Sequence, residues 1–130
     1  MKYTLSLIIL LTLNACANDY YYEYGKKIEL TPINTPSTRS INANDTKYYK
    51  TKDGRKIGIK NEIIVKLKKE VDPKGFFLKY NIENTEHLGS TTYLLKLSPS
   101  QNVFKLSQEM YKDSDTIYAV PNKVQKYFTR

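Results

Sequence analysis

Glu62-Ile63-Ile64-Val65-Lys66-Leu67-Lys68 is the stretch on which the fold reading turns. It is rich in β-branched residues and alternates, so Ile63, Val65 and Leu67 fall on one face of a strand and Ile64, Lys66 and Lys68 on the other. Just beyond it, Asp72-Pro73 offers a helix N-cap followed by proline at the first helical position. A short helix is expected from there through Phe76, Phe77, Leu78 and Tyr80, in spite of the weak helix former Gly75. A strand follows over Asn81 to Leu88, a turn at Gly89-Ser90, and a strand over Thr91 to Leu97 with Tyr93, Leu95 and Leu97 inward. Ser98-Pro99 repeats the cap-and-proline device, and Val103, Leu106 and Met110 make a helical core stripe. Ser114-Asp115 closes that helix, and Thr116 to Val120 forms the last strand before Pro121. The order over 61–120 predicts an α+β fold, a ferredoxin-like β-α-β-β-α-β sandwich with four antiparallel strands and both helices on one face.

Upstream of that pattern, residues 48–60 read as a β-hairpin turning at Asp53-Gly54, two residues that tolerate positive φ. Lysines on both arms suit an exposed edge. Residues 16–47 cluster Asn, Thr, Ser and Pro, as in Thr31-Pro32-Ile33-Asn34-Thr35-Pro36-Ser37-Thr38. Such composition favours a flexible tether, because it buries too little surface to offset chain entropy. Within it, Tyr20-Tyr21-Tyr22 and Tyr24 suit either a membrane–water interface or the start of a short strand over Tyr24 to Leu30.

Residues 1–15 have the form of a secretory signal peptide: Lys2, an apolar run from Leu5 to Leu13, then a small residue at Ala15. The apolar run is short of the ~20 residues that span a bilayer. Leu13-Asn14-Ala15-Cys16 resembles a bacterial lipobox. That resemblance implies cleavage before Cys16 and lipidation, including palmitate, on the only cysteine of the chain. The mature protein would be anchored to a membrane of the bacterial cell envelope. By the same resemblance, Ala17 in place of Asp after the cysteine points to the outer membrane, with the domain facing the periplasm; in a Gram-positive organism the outer face of the single membrane would take its place.

A four-stranded sheet with helices on one face leaves the other face bare. Ile64, Leu94, Tyr118 and Val120 would form an apolar patch there, rimmed by lysines. A patch of this kind marks a partner surface, unless the tether or the hairpin folds back to cover it.

The segment Asn61 to Val71 resembles the opening strand of the propeptide domains of subtilisin-like serine proteases. Asp115-Thr116-Ile117-Tyr118-Ala119-Val120-Pro121-Asn122 looks like that family's final strand, with Val120 where the family often has Glu. The resemblance covers residues 61–130. It implies a domain that docks by its open sheet face on the protease and lays its C-terminal tail, Lys126-Tyr127-Phe128-Thr129-Arg130, in the substrate cleft as an added strand. The function so implied is an envelope lipoprotein that inhibits a subtilisin-like serine protease or assists its folding. The alternatives are the N-terminal remnant of a split protease gene, or an envelope lipoprotein with an unrelated protein-binding role.

No catalytic machinery is legible. There is one histidine, His87, and no nucleophile turn, so a serine-protease triad is excluded and the chain reads as a non-enzyme. The sequence holds neither a Cys/His set for a metal nor a glycine-rich phosphate loop, so no cofactor is expected. The formal charge of +8 would ordinarily raise nucleic acid as a partner. Export argues against that, and leaves an anionic membrane surface, an acidic protein surface or plain solvation.

Overall fold

The computed structural model describes residues 18–33 and 46–124. Seven strands and two helices follow in the order β1 (Asp19–Glu23), β2 (Lys26–Pro32), β3 (Lys47–Thr51), β4 (Lys56–Leu67), α1 (Pro73–Lys79), β5 (Asn84–Gly89), β6 (Thr92–Lys96), α2 (Val103–Lys112) and β7 (Thr116–Val124). All strand pairs are antiparallel, and together they form one sheet in the order β1-β2-β3-β4-β6-β5, with β7 also pairing β4.

This is not the ferredoxin-like sandwich expected from the sequence. Strand makes up 52% of the described residues and helix 18%, and the sheet is a curled half-barrel carrying two helices. Two features account for the difference. The first is the N-terminal segment taken for a flexible tether, which contributes β1 and β2 to the sheet. The tether reading rests on the segment's Asn, Thr, Ser and Pro, yet a tyrosine ring buries a large apolar body, and Tyr21 is buried. Tyr24 (φ 49°) and Gly25 (φ 73°) form the tight turn between the two strands. Positive φ at both central residues matches the twist of a two-residue hairpin. The second feature is β4 itself. The second arm of the expected hairpin and the expected first strand of the 61–130 domain are one continuous strand of 12 residues, so no boundary falls at residue 60.

β4 is therefore the spine. Its first half pairs β3, from Lys47↔Ile59 to Lys50↔Lys56. Its second half lies between β6 and β7, with Ile63 opposite both Leu95 and Pro121. Gly58 stands where β3, β4 and β7 converge: a Cβ there would lie 2.7 Å from Thr46 Cγ2 and 3.2 Å from Tyr48 Cε1. The requirement is for space.

The helices form where the sequence placed them, with one shift. Asp72 caps α1 by accepting from the Gly75 amide at 3.2 Å, with Pro73 at the first turn. α2 is capped by Asn102, whose Oδ1 accepts from the Phe104 and Lys105 amides at 3.0 Å. Ser98-Pro99 instead starts a turn, in which the Gln101 amide donates to the Ser98 carbonyl. Beneath the helices lies an aliphatic core of Ile63, Val65, Leu67, Leu95 and Met110, joined by Phe76, Ile82 and Ala119. Inside the N-terminal curl lies a second cluster: Tyr21, Leu30, Tyr49, Ile57, Ile59 and, from α2, Phe104.

Candidate docking face

The core-facing residues of β4 are Ile63, Val65 and Leu67, so the even-numbered positions between them point away from the helices. Directly opposed residues of an antiparallel pair share a face. Ile64 lies opposite Leu94 on β6 and opposite Val120 on β7, and Leu94 lies opposite Glu86 on β5. One register row across four strands therefore reads Glu86, Leu94, Ile64, Val120. In the next row Lys66 lies opposite Thr92 and Tyr118. In the row on the other side Glu62 lies opposite Lys96, and Glu62 Oε2 accepts from Asn122 Nδ2 at 2.7 Å.

The four residues expected on the bare face are thus brought together on it. Ile64, Leu94 and Val120 are half-buried, and Tyr118 is 36% exposed. Val120 also packs against the N-terminal cluster, so the curl of the sheet covers that end of the row. Lys66 and Lys96 flank it.

The sequence missed Ile117, which is 54% exposed beside Tyr118. The register of β7 shifts there, between the Lys66↔Tyr118 and Leu67↔Thr116 pairs. A bulge adds a residue to one strand and breaks the alternation. Thr116-Ile117-Tyr118 carries no signal of it.

β7 is held against β1 at its far end. Lys123 Nζ meets Glu23 Oε1 at 2.7 Å and lies 5.6 Å from the Tyr21 ring centre. Burial would lower the Lys123 pKa, but the Glu23 carboxylate and the Tyr21 hydroxyl outweigh it and hold the ammonium above its ordinary range. Burial pushes the Tyr21 hydroxyl up, against the opposing pull of Lys123. Val124, the last described residue, pairs Gly58. The expected cleft-binding tail, Lys126 to Arg130, and the lipidation site Cys16 lie outside the described residues.

His87 sits in edge strand β5, with Nε2 2.6 Å from the Ser90 carbonyl oxygen and its ring against Tyr93. Asp113 ties the helices together. Its Oδ2 accepts from Lys79 Nζ and from the Tyr80 hydroxyl, each at 2.6 Å, and its Oδ1 accepts from the Asp115 amide at 2.9 Å. Burial would raise the Asp113 pKa, but the bonds from Lys79 and Tyr80 prevail and hold it below the ordinary carboxylate range. Among the described residues no cluster of three or more His, Cys, Asp or Glu could hold a metal, and no helix is long and apolar enough to cross a membrane. No protein-family model, no curated protein and no solved structure matches this chain.

Proposed function

We propose that this chain is an envelope lipoprotein, acylated at Cys16, whose open sheet face binds a subtilisin-like serine protease and whose tail blocks the protease cleft. The observation that carries the binding role is the pair Leu94–Ile64 with Tyr118 beside it, an apolar strip with lysines at its edge whose Val120 end lies under the curl of the sheet. The protease is chosen on the resemblance of the two end strands, Asn61 to Val71 and Asp115 to Asn122. A stable docking surface of this kind buries about 800 Å² per partner. Docking alone leaves an active site open. Inhibition is therefore assigned to Lys126-Tyr127-Phe128-Thr129-Arg130, which would add to the cleft as an extended strand with Arg130 at the cleavage position.

The test is inhibition of peptide hydrolysis by a panel of subtilisin-like proteases, using the chain from Cys16 to Arg130. Deleting Tyr127 to Arg130 should abolish inhibition and leave weaker binding, and Leu94→Asp should remove that residual binding. Full potency without the tail defeats the mechanism, and failure to bind any member of the panel defeats the choice of partner. One observation favours a second reading, an envelope lipoprotein that binds a partner of another class. The sheet continues through β3, β2 and β1 instead of ending as a two-layer sandwich, which is more than the propeptide resemblance implies. In that case Leu94→Asp would still abolish capture of the natural partner, while no protease in the panel would respond.

A further inference from the structure

Only Ala17 and Asn18 separate Cys16 from Asp19, where β1 begins. The three steps from Cys16 to Asp19 reach about 10 Å at full extension. A lipid on Cys16 would therefore hold the folded sheet at the bilayer surface, with no long tether between them. The part of the sheet held closest is the part around Asp19.

Asp19 lines a cleft of about 590 Å³. The cleft opens where β4 is irregular, between Ile59 and Ile63, and lies against the start of α2. Three lysines from three strands line it: Lys47 of β3, Lys60 of β4 and Lys96 of β6. None of them belongs to the ion pairs found among the described residues. Two carboxylates also line the cleft, Asp19 and Glu62, and Glu62 is engaged by the neutral amide of Asn122. Cationic groups thus outnumber anionic ones, and Lys47 and Lys96 are exposed to reach a ligand. Lysine binds phosphate as a mobile point charge.

We propose that this cleft seats the phosphate headgroup of an anionic phospholipid belonging to the membrane that holds Cys16. The proposal rests on the lipoprotein reading above. The acyl chains anchor the protein, and the lysines set its orientation, the two-signal arrangement in which a basic patch complements a lipid. Proximity to the anchor selects a lipid over an acidic protein as the occupant.

The experiment supplies the anchor chemically. A chain from Cys16 to Arg130 keeps every described residue, and its single thiol is coupled to a maleimide phospholipid in vesicles. One set of vesicles is phosphatidylcholine; the other also contains phosphatidylglycerol. Acetylation of each lysine is followed by mass spectrometry. Lys47, Lys60 and Lys96 should react about fivefold more slowly in the phosphatidylglycerol vesicles, the protection expected for basic side chains held at an anionic surface. Lys52 and Lys74, which do not line the cleft, should react alike in both. The triple variant Lys47→Gln, Lys60→Gln, Lys96→Gln, with unchanged circular dichroism, should lose preferential orientation on phosphatidylglycerol, read as equal protease accessibility in the two vesicle types. Equal reactivity of the three lysines in both vesicles overturns the proposal, as does equal slowing of Lys52 and Lys74. Protection by free glycerol phosphate in phosphatidylcholine vesicles overturns the lipid source. Protection of the three lysines by an added acidic polypeptide, with none from phosphatidylglycerol, also overturns it. An unacylated Cys16 in the native protein would defeat the lipoprotein reading separately, because the coupled vesicles do not depend on it.

Discussion

The core beneath the helices and the cluster inside the N-terminal curl are built from different residues. The first is aliphatic, with Ile63, Val65, Leu67, Leu95 and Met110 buried under α1 and α2, which sit next to it in the chain. The second centres on aromatic rings: Tyr49 meets Phe104 edge-on with ring centres 5.2 Å apart, and Tyr21, Leu30, Ile57 and Ile59 surround them. The N-terminal strands have no helix among them. They borrow Phe104 from α2, and the Gln108 side chain, also from α2, donates to the Tyr20 carbonyl at 2.8 Å. The dependence is asymmetric. The C-terminal core contains no residue from β1–β3, whereas the N-terminal cluster needs a helix from the far end of the sequence.

The largest test of that asymmetry removes β1 and β2. A chain beginning at Thr46 loses Tyr21 and Leu30 from the cluster. Each buried side chain of this size contributes about 1.5–3 kcal/mol, so stability to urea should fall by about 3–6 kcal/mol, a large share of the roughly 5–15 kcal/mol a domain possesses. An unchanged midpoint would show that the N-terminal cluster adds nothing to the stability of the fold.

Phe104→Ala comes next, at about 3–5 kcal/mol for a buried aromatic. Hydrogen exchange should show β3 and the first half of β4 losing protection well before β6. Uniform loss across both halves would mean that the two clusters unfold as one unit.

Asp113 tests the junction on the aliphatic side. Asp113→Asn should cost about 1–3 kcal/mol, since it weakens charged acceptance from Lys79 and Tyr80 in a site where the carboxylate side chain is only 5% exposed. The folded-state pKa lies below the ordinary value of 3.8. The folded state therefore binds this proton less readily than the unfolded chain. The contribution is complete above the ordinary carboxylate range and disappears as pH falls through the folded value. Acid titration of the parent and Asp113→Asn should converge there, and a constant gap at all pH values would contradict the assignment.

Glu23→Gln is the mildest test. The Glu23–Lys123 pair, with side chains 26% and 24% exposed, joins β1 to β7. Its loss should cost less than about 1 kcal/mol and should loosen β1 alone, seen as faster exchange at its amides.

The same asymmetry separates what could be read in the sequence from what could not. The 61–120 elements carry regular signals: alternation at Ile63, Val65 and Leu67, the Asp72-Pro73 cap, and the Val103, Leu106, Met110 stripe. All of them appear as strands or helices within a few residues of the expected bounds. Residues 19–32 carry weaker signals. Tyr24-Gly25 is a hairpin turn without the Asn or Asp that usually announces one, and tyrosine hides an apolar ring behind a polar name. The fold class was lost there, because two strands within the expected tether, β1 and β2, turn a layered sheet into a curl. The candidate face fared differently: alternation and pairing alone put Ile64, Leu94, Tyr118 and Val120 together. The bulge at Ile117 and the covering of Val120 were not legible, since both arise from strand irregularity and long-range packing.

Gly58 has a consequence for how such a chain diverges over time. Most surface positions in the strands can drift among polar residues, and core positions can exchange one aliphatic for another of similar volume. Position 58 has neither freedom, because the methyl of even an alanine would press on Thr46 and Tyr48. Thr46 would have to shrink before 58 could change, so the two positions are expected to covary. In a lineage whose tyrosines and lysines have turned over, a small residue at the spine of β4 paired with the residue that opens β3 would be among the last marks of common descent.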